Sequence, residues 1–108
     1  MNNIAAIAKL NDDFRANPSL GTFVLTPGIR ANSFDDIEVI LNKVRHFDDF
    51  SEENNPYGEK DFGAFSFKGE KIFWKIDYYD RNFEFTSPNA ADPSQTNRVL
   101  TVMYAYEY

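Results

Sequence analysis

The stretch from Phe62 to Tyr79 constrains the fold more than any other part of the chain. Phe62-Gly63-Ala64-Phe65-Ser66-Phe67 is followed by Lys68-Gly69-Glu70-Lys71 and then by Ile72-Phe73-Trp74-Lys75-Ile76-Asp77-Tyr78-Tyr79. Side chains alternate across an extended strand. Ile72, Trp74, Ile76 and Tyr78 therefore share one face, and Phe73, Lys75, Asp77 and Tyr79 the other. Two β-prone runs around a glycine-bearing turn predict a hairpin. Asp80-Arg81-Asn82 predicts a second turn and Phe83 to Thr86 a third short strand, which together make an antiparallel meander.

The flanks read mostly as helix. Ile4, Ile7/Ala8 and Leu10/Phe14 fall on one stripe, so the spacing predicts a helix over 3–16, stopped by Asn17-Pro18 and Gly21. Thr22 to Thr26 reads as a strand closed by a turn at Pro27-Gly28. Ser33 is a good N-cap, and Asp35 and Asp36 follow in the first turn, where the helix dipole favours negative charge. Phe34, Ile37, Leu41 and Val44 line one face, which predicts a helix from Phe34 to about Phe47. Asp92-Pro93 is a helix-start signal, and Val99, Leu100, Val102, Met103 and Tyr106 suit a helical stripe. The start signal predicts a helix from Pro93 to about Tyr106, although the β-branched and aromatic residues there would also suit a strand. The fold class expected is α+β: an antiparallel β-meander packed against two or three α-helices in a single compact domain spanning 1–108.

The 108 residues include eleven Phe and six Tyr, enough apolar material for one packed core. There is no apolar run long enough to span a bilayer, and the start of the chain lacks a basic patch followed by an apolar stretch, so neither a membrane span nor a secretory signal is expected. The absence of cysteine excludes disulfides, thiolate metal sites and cysteine nucleophiles, and it fits a cytoplasmic location. The net charge of −6 argues against direct binding of nucleic-acid phosphates, which calls for a basic face.

Most of that charge lies in one place. Between Asp48 and Asp61 there are six acids, Asp48, Asp49, Glu52, Glu53, Glu59 and Asp61, against the single Lys60. Asn54, Asn55, Pro56 and Gly58 make the segment a loop or a set of turns, while Phe50 and Tyr57 can pin it to the core. Carboxylates in a loop can bind calcium, but counting from Asp48 or Asp49 the segment lacks the glycine an EF-hand needs at its sixth position. It can equally be a solvated loop, or a surface that attracts a basic partner.

Candidates for catalysis are sparse. His46 is the only histidine, and its place near a helix C-terminus already has an electrostatic rationale. Asp48, Glu59 or Asp61 are its natural partners. Asp77 and Asp80 flank Tyr78-Tyr79 and could join His46 in a polar cluster, or could be turn and ion-pair residues. The meander aromatics, with Lys68, Lys71, Lys75 and Arg81, would suit stacking on single-stranded RNA bases, or simply a core. No phosphate loop, nucleophile elbow or zinc-protease helix is present.

The segments Phe47-Asp48-Asp49-Phe50, Asn54-Asn55-Pro56-Tyr57-Gly58-Glu59-Lys60-Asp61-Phe62-Gly63 and Phe73-Trp74-Lys75-Ile76-Asp77-Tyr78-Tyr79-Asp80 resemble a family of uncharacterised short proteobacterial proteins, classed as a domain of unknown function. The likeness extends to the pattern at Ile7 to Phe14, to Asp92-Pro93 and to the Glu107-Tyr108 ending. It implies no established activity, cofactor or substrate. Where members of that family commonly have Asp and His in the Pro-Tyr-Gly-Glu loop, this chain has Asn55 and Lys60. That departure weakens any mechanism requiring an imidazole there.

The expectation is a small acidic non-catalytic binding protein. Asp48, Asp49, Glu52, Glu53, Tyr57, Glu59 and Asp61 would occupy a basic surface of a protein partner, with no catalytic residues, metal or cofactor. By class analogy it could be an inhibitor of a nucleic-acid-directed defence system, of anti-CRISPR or anti-restriction type, or an immunity protein. A small hydrolase-like or metal-dependent enzyme using a carboxylate/His cluster is the alternative, and single-stranded RNA binding through strand aromatics a second. A homodimer is also open.

Overall fold

The computed structural model describes residues 3–108; Met1 and Asn2, on which the reading of the chain's start partly rests, lie outside them. The elements are α1 (Ile4–Ala16), β1 (Thr22–Leu25), α2 (Pro27–Arg30), α3 (Phe34–Arg45), β2 (Phe62–Phe67), β3 (Glu70–Tyr79) and β4 (Asn97–Tyr104). Short 3-10 turns lie at Pro18–Leu20, Pro93–Gln95 and Ala105–Glu107. The strands form one sheet in the order β1-β4-β3-β2. The architecture is α+β, and the sheet is mixed.

The hairpin forms as its alternation requires. Phe62 faces Lys75 and Phe67 faces Glu70 in an antiparallel register. Lys68 and Gly69 turn the chain at φ 50° and 80°, both in the left-handed region that matches the twist of a two-residue hairpin. Ile72, Trp74 and Ile76 are buried on one face beside Leu100, Val102 and Tyr104 of β4. Phe14 of α1, Ile29 of α2, and Ile40 and Val44 of α3 close over them in one cluster.

Beyond β3 the structure departs from the meander. Phe83 to Thr86 is not a strand: it makes only a single bridge, Thr86 to Tyr79. The Asp80 carboxylate accepts from the amides of Asn82 and Glu84, and the Asp80 amide donates to Phe85 O. The segment thus curls into a turn. The place beside β3 belongs to β4, which pairs with β3 antiparallel along its whole length and with β1 in parallel.

That strand replaces the helix expected from Pro93 to Tyr106. The start signal does operate, since Asp92 Oδ1 accepts from the Ser94 amide at 2.9 Å, but it nucleates only the 3-10 turn Pro93–Gln95. The following residues then gain two strand neighbours. Val99, Thr101 and Val102 are β-branched, and Arg98, Leu100, Val102 and Tyr104 alternate onto the core face. Two smaller differences remain. Pro27-Gly28 opens the short helix α2 rather than a simple turn, and α3 ends at Arg45, with His46 as its C-cap. The Glu107 carboxylate holds α2, accepting from Thr26 Oγ1 at 2.7 Å and the Gly28 amide at 3.0 Å.

The opposite face of the sheet carries Phe62, Phe73, Lys75, Asp77, Tyr79, Val99 and Thr101. Tyr108 lies edge-on against Phe73, with ring centroids 5.8 Å apart.

Candidate functional site: an anchored acidic loop

The segment joining α3 to β2 is folded back on the core. Phe47 and Phe50 lie edge-on to each other at 5.0 Å and to Trp74 at 5.5 and 6.2 Å. The buried Arg15 guanidinium sits 4.9 Å from the Trp74 ring and 5.4 Å from the Phe50 ring. It donates to Val44 O and Phe47 O, at the carbonyl end of α3, and pairs with Asp12 at 2.6 Å. Arg15 therefore adds a cationic donor at the C-terminal end of α3, where the helix dipole favours it, and ties that end to the start of the loop.

Two asparagines shape the loop. Asn54 bridges it, donating from Nδ2 to Asp49 O and accepting from the Ser51 amide. Asn55 Oδ1 accepts from the Lys60 amide at 2.8 Å, and its backbone bonds to Ser51 O and the Gly58 amide. Gly58 (φ 75°) and Lys60 (φ 55°) supply the left-handed turns. The Lys60 ammonium is directed to Asp12 at 3.5 Å and lies over the Phe50 ring. Asp48, Asp49, Glu52 and Glu53 are exposed, and none of them forms an ion pair among the described residues. Tyr57 is 77% exposed at the tip. The loop's one cation is thus directed toward α1 while these four acids face solvent.

Glu59 and Asp61 behave differently. Asn11 of α1, fully buried, donates from Nδ2 to Glu59 O at 3.0 Å and to Tyr78 Oη at 2.8 Å. Tyr78 Oη donates to Glu59 Oε1 at 2.8 Å, and Arg98 Nε donates to Asn11 Oδ1 at 2.8 Å. Burial pushes the Tyr78 hydroxyl far above the usual tyrosine range, and its hydrogen bond to Glu59 adds to this while the one from Asn11 opposes it. Asp61 is half-buried and pairs through its carbonyl with the Ile76 amide. Its carboxyl is raised, first by burial and then by the nearby charges of Glu59 and Asp77. Asp61 and Asp77 share a hollow of about 380 Å³ with Ile76 and Tyr78.

Glu59, Asp61 and Asp77 are thus brought near one another, but His46 and Asp80 stand apart from them. His46 is exposed at the end of α3, with Nδ1 3.0 Å from Asn42 O, and shares an open groove with Asp48 and Asp49. Asp77 pairs with Lys75 at 3.0 Å, and Asp80 is occupied by its own turn. Among the described residues no group of three or more His, Asp or Glu is arranged to hold a metal ion, and no helix is long and apolar enough to cross a membrane.

Sequence reasoning missed Asn11, Arg15 and Arg98. Asn11 left a signal: it interrupts the apolar stripe Ile4, Ile7, Phe14 at a core-facing position. Arg98 becomes legible only once β4 is read as a strand.

The described residues thus form a small α+β domain in which an acidic loop is pinned to a mixed sheet. The chain belongs to a family described as a protein of unknown function, DUF3768, which it matches over residues 25–107. The match covers the loop and every strand but most of β1; α1 lies before it. No curated protein and no solved structure matches the chain.

Proposed function

We propose that this chain is a non-catalytic protein-binding module whose acidic loop occupies a basic surface of a protein partner. The observation carrying the proposal is that Asp48, Asp49, Glu52 and Glu53 are exposed and form no ion pair among the described residues, on a backbone held by Phe50, Asn54 and Asn55. A loop already held in shape loses little conformational entropy on binding, and its uncompensated charge steers association with a positive patch. Tyr57 beside the acids supplies an aromatic anchor of the kind that concentrates binding energy. Basic surfaces are what nucleic-acid-handling proteins present to phosphates, so occupying one excludes the polyanion. An inhibitor of a nucleic-acid-directed defence system, or an immunity protein, working in a bacterial cytoplasm, is the finer reading.

The test is a fourfold variant, Asp48→Lys, Asp49→Lys, Glu52→Lys and Glu53→Lys, compared with the unaltered chain in affinity capture from a host lysate. The variant should fold with unchanged circular dichroism yet lose its partner. The unaltered chain should lose it as salt rises and screens the contact. Capture that survives both the reversal and high salt refutes the proposal.

A second reading has one specific observation in its favour. Asp61, raised by burial and by Glu59 and Asp77, lines a hollow and could act as a general acid. Among the described residues no imidazole lines that hollow, and Asp61→Asn leaving partner capture intact would separate it from the binding role.

A further inference from the structure

Arg98 is a cation with an incomplete set of partners. It is 5% exposed, and burial pulls its guanidinium below the ordinary arginine range. Nε donates to Asn11 Oδ1, one terminal nitrogen donates to Ala90 O, and the group lies 5.2 Å from the Tyr78 ring. Its other terminal nitrogen, Nη1, donates to no acceptor among the described residues, and no carboxylate comes within ion-pair distance. Arg15, the other buried arginine, has Asp12. A buried charge is costly unless it is paired, and guanidinium favours planar two-oxygen anions that can accept a fork of hydrogen bonds.

Arg98 forms part of the wall of a cavity of about 210 Å³ between α1, the Pro18–Leu20 turn and the start of β4. Arg81 is a second wall residue; its Nη1 donates to Thr96 O and Asn97 Oδ1, and it too has no carboxylate partner among the described residues. Leu10, Phe14 and Leu20 give the cavity an apolar side, and no acid is among the described residues that line it. In a chain with 17 acids to 11 bases, a hollow walled by two arginines and no carboxylate is the reverse of the surface average.

We propose that this cavity binds a small carboxylate with an apolar body, its oxygens on the Arg81 and Arg98 guanidinium groups and its hydrocarbon against Leu10, Phe14 and Leu20. The volume suits a molecule of the size of benzoate or hexanoate and excludes a polymer. Phosphate shares the anionic chemistry but has nothing to place against the apolar wall.

The test is titration of the full chain with benzoate, followed by the methyl resonances of Leu10 and Leu20 and the side-chain Nε–H signals of Arg81 and Arg98. Benzyl alcohol, a neutral ligand of similar shape, and inorganic phosphate are titrated in parallel. Saturable shifts at these four residues with benzoate are the expected result. Arg81→Gln, an exposed change that leaves the core intact, should weaken benzoate by about tenfold or more, the contribution of a charge-assisted hydrogen bond. Arg98→Gln should abolish binding if it folds; Arg81→Gln and benzyl alcohol keep the proposal open to refutation if it does not. The proposal is overturned by the absence of saturable shifts, by shifts confined to other residues, by benzyl alcohol or phosphate binding as tightly as benzoate, or by unchanged affinity in Arg81→Gln.

Discussion

The acidic loop and the arginine-walled cavity treat charge in opposite ways, and one hydrogen-bonded chain joins them. In the loop, four carboxylates face water with no ion-pair partner among the described residues, and the backbone is what is held. At the cavity, a guanidinium is buried and held by an amide oxygen, a carbonyl and an aromatic face. Glu59, Tyr78, Asn11 and Arg98 run from one to the other. Exposed charge in water needs no partner, whereas buried charge needs a hydrogen-bonded one. The negative charge is therefore free to meet another molecule at the surface, while the positive charge is committed to the interior except for what the cavity leaves open.

Removing the joint should give the largest effect. Asn11→Leu leaves Arg98 Nε without its acceptor and Glu59 O without its donor, with an expected loss of about 3 kcal/mol in urea unfolding. A loss well under about 1 kcal/mol would mean that the two regions are held independently. Phe50→Ala should cost about 2 kcal/mol, since the ring is only partly buried, and it should act on one region alone. Amide protection in the loop should fall while that of β4 persists. Tyr78→Phe keeps the ring over Arg98 and deletes only the hydroxyl, for an expected loss of about 1 kcal/mol by thermal unfolding, with the Glu59 end loosened more than the Arg98 end.

The smallest effect has the opposite sign. Burial, reinforced by Glu59 and Asp77, raises the Asp61 carboxyl in the folded chain above its unfolded value. The folded state then holds that proton more tightly, so Asp61's contribution to stability falls as pH rises from about 4 through the raised value, and is level above it. Asp61→Asn mimics the protonated acid. The variant should be more stable than the unaltered chain near neutral pH and equal to it at about pH 3, where both are uncharged. A variant less stable at neutral pH would show that the Asp61 charge is held favourably.

Local pattern made some of this legible and not the rest. The β2–β3 hairpin was readable because alternation, glycine and turn all sit within one stretch of chain. At β4 the local signals divide: Asp92-Pro93 marks a helix start and Val99, Val102, Met103 and Tyr106 fit a helical stripe, whereas the β-branched and aromatic content suits a strand. What decides is pairing with β1 and β3, which no local pattern carries. Likewise the run of acids is plain from charge alone, and Asn54 and Asn55 mark turns. The Asn11–Arg98 bond spans 87 positions, and its members read separately as a polar helix residue and an ordinary arginine.

Backbone ¹⁵N relaxation across 48–61 tests most directly whether the acids are displayed on a fixed scaffold. A fixed loop should give order parameters of about 0.85, matching α3 and β3, with slowed exchange at the Asn55, Gly58 and Lys60 amides. Values below about 0.6 through the loop, with unprotected amides, would contradict it.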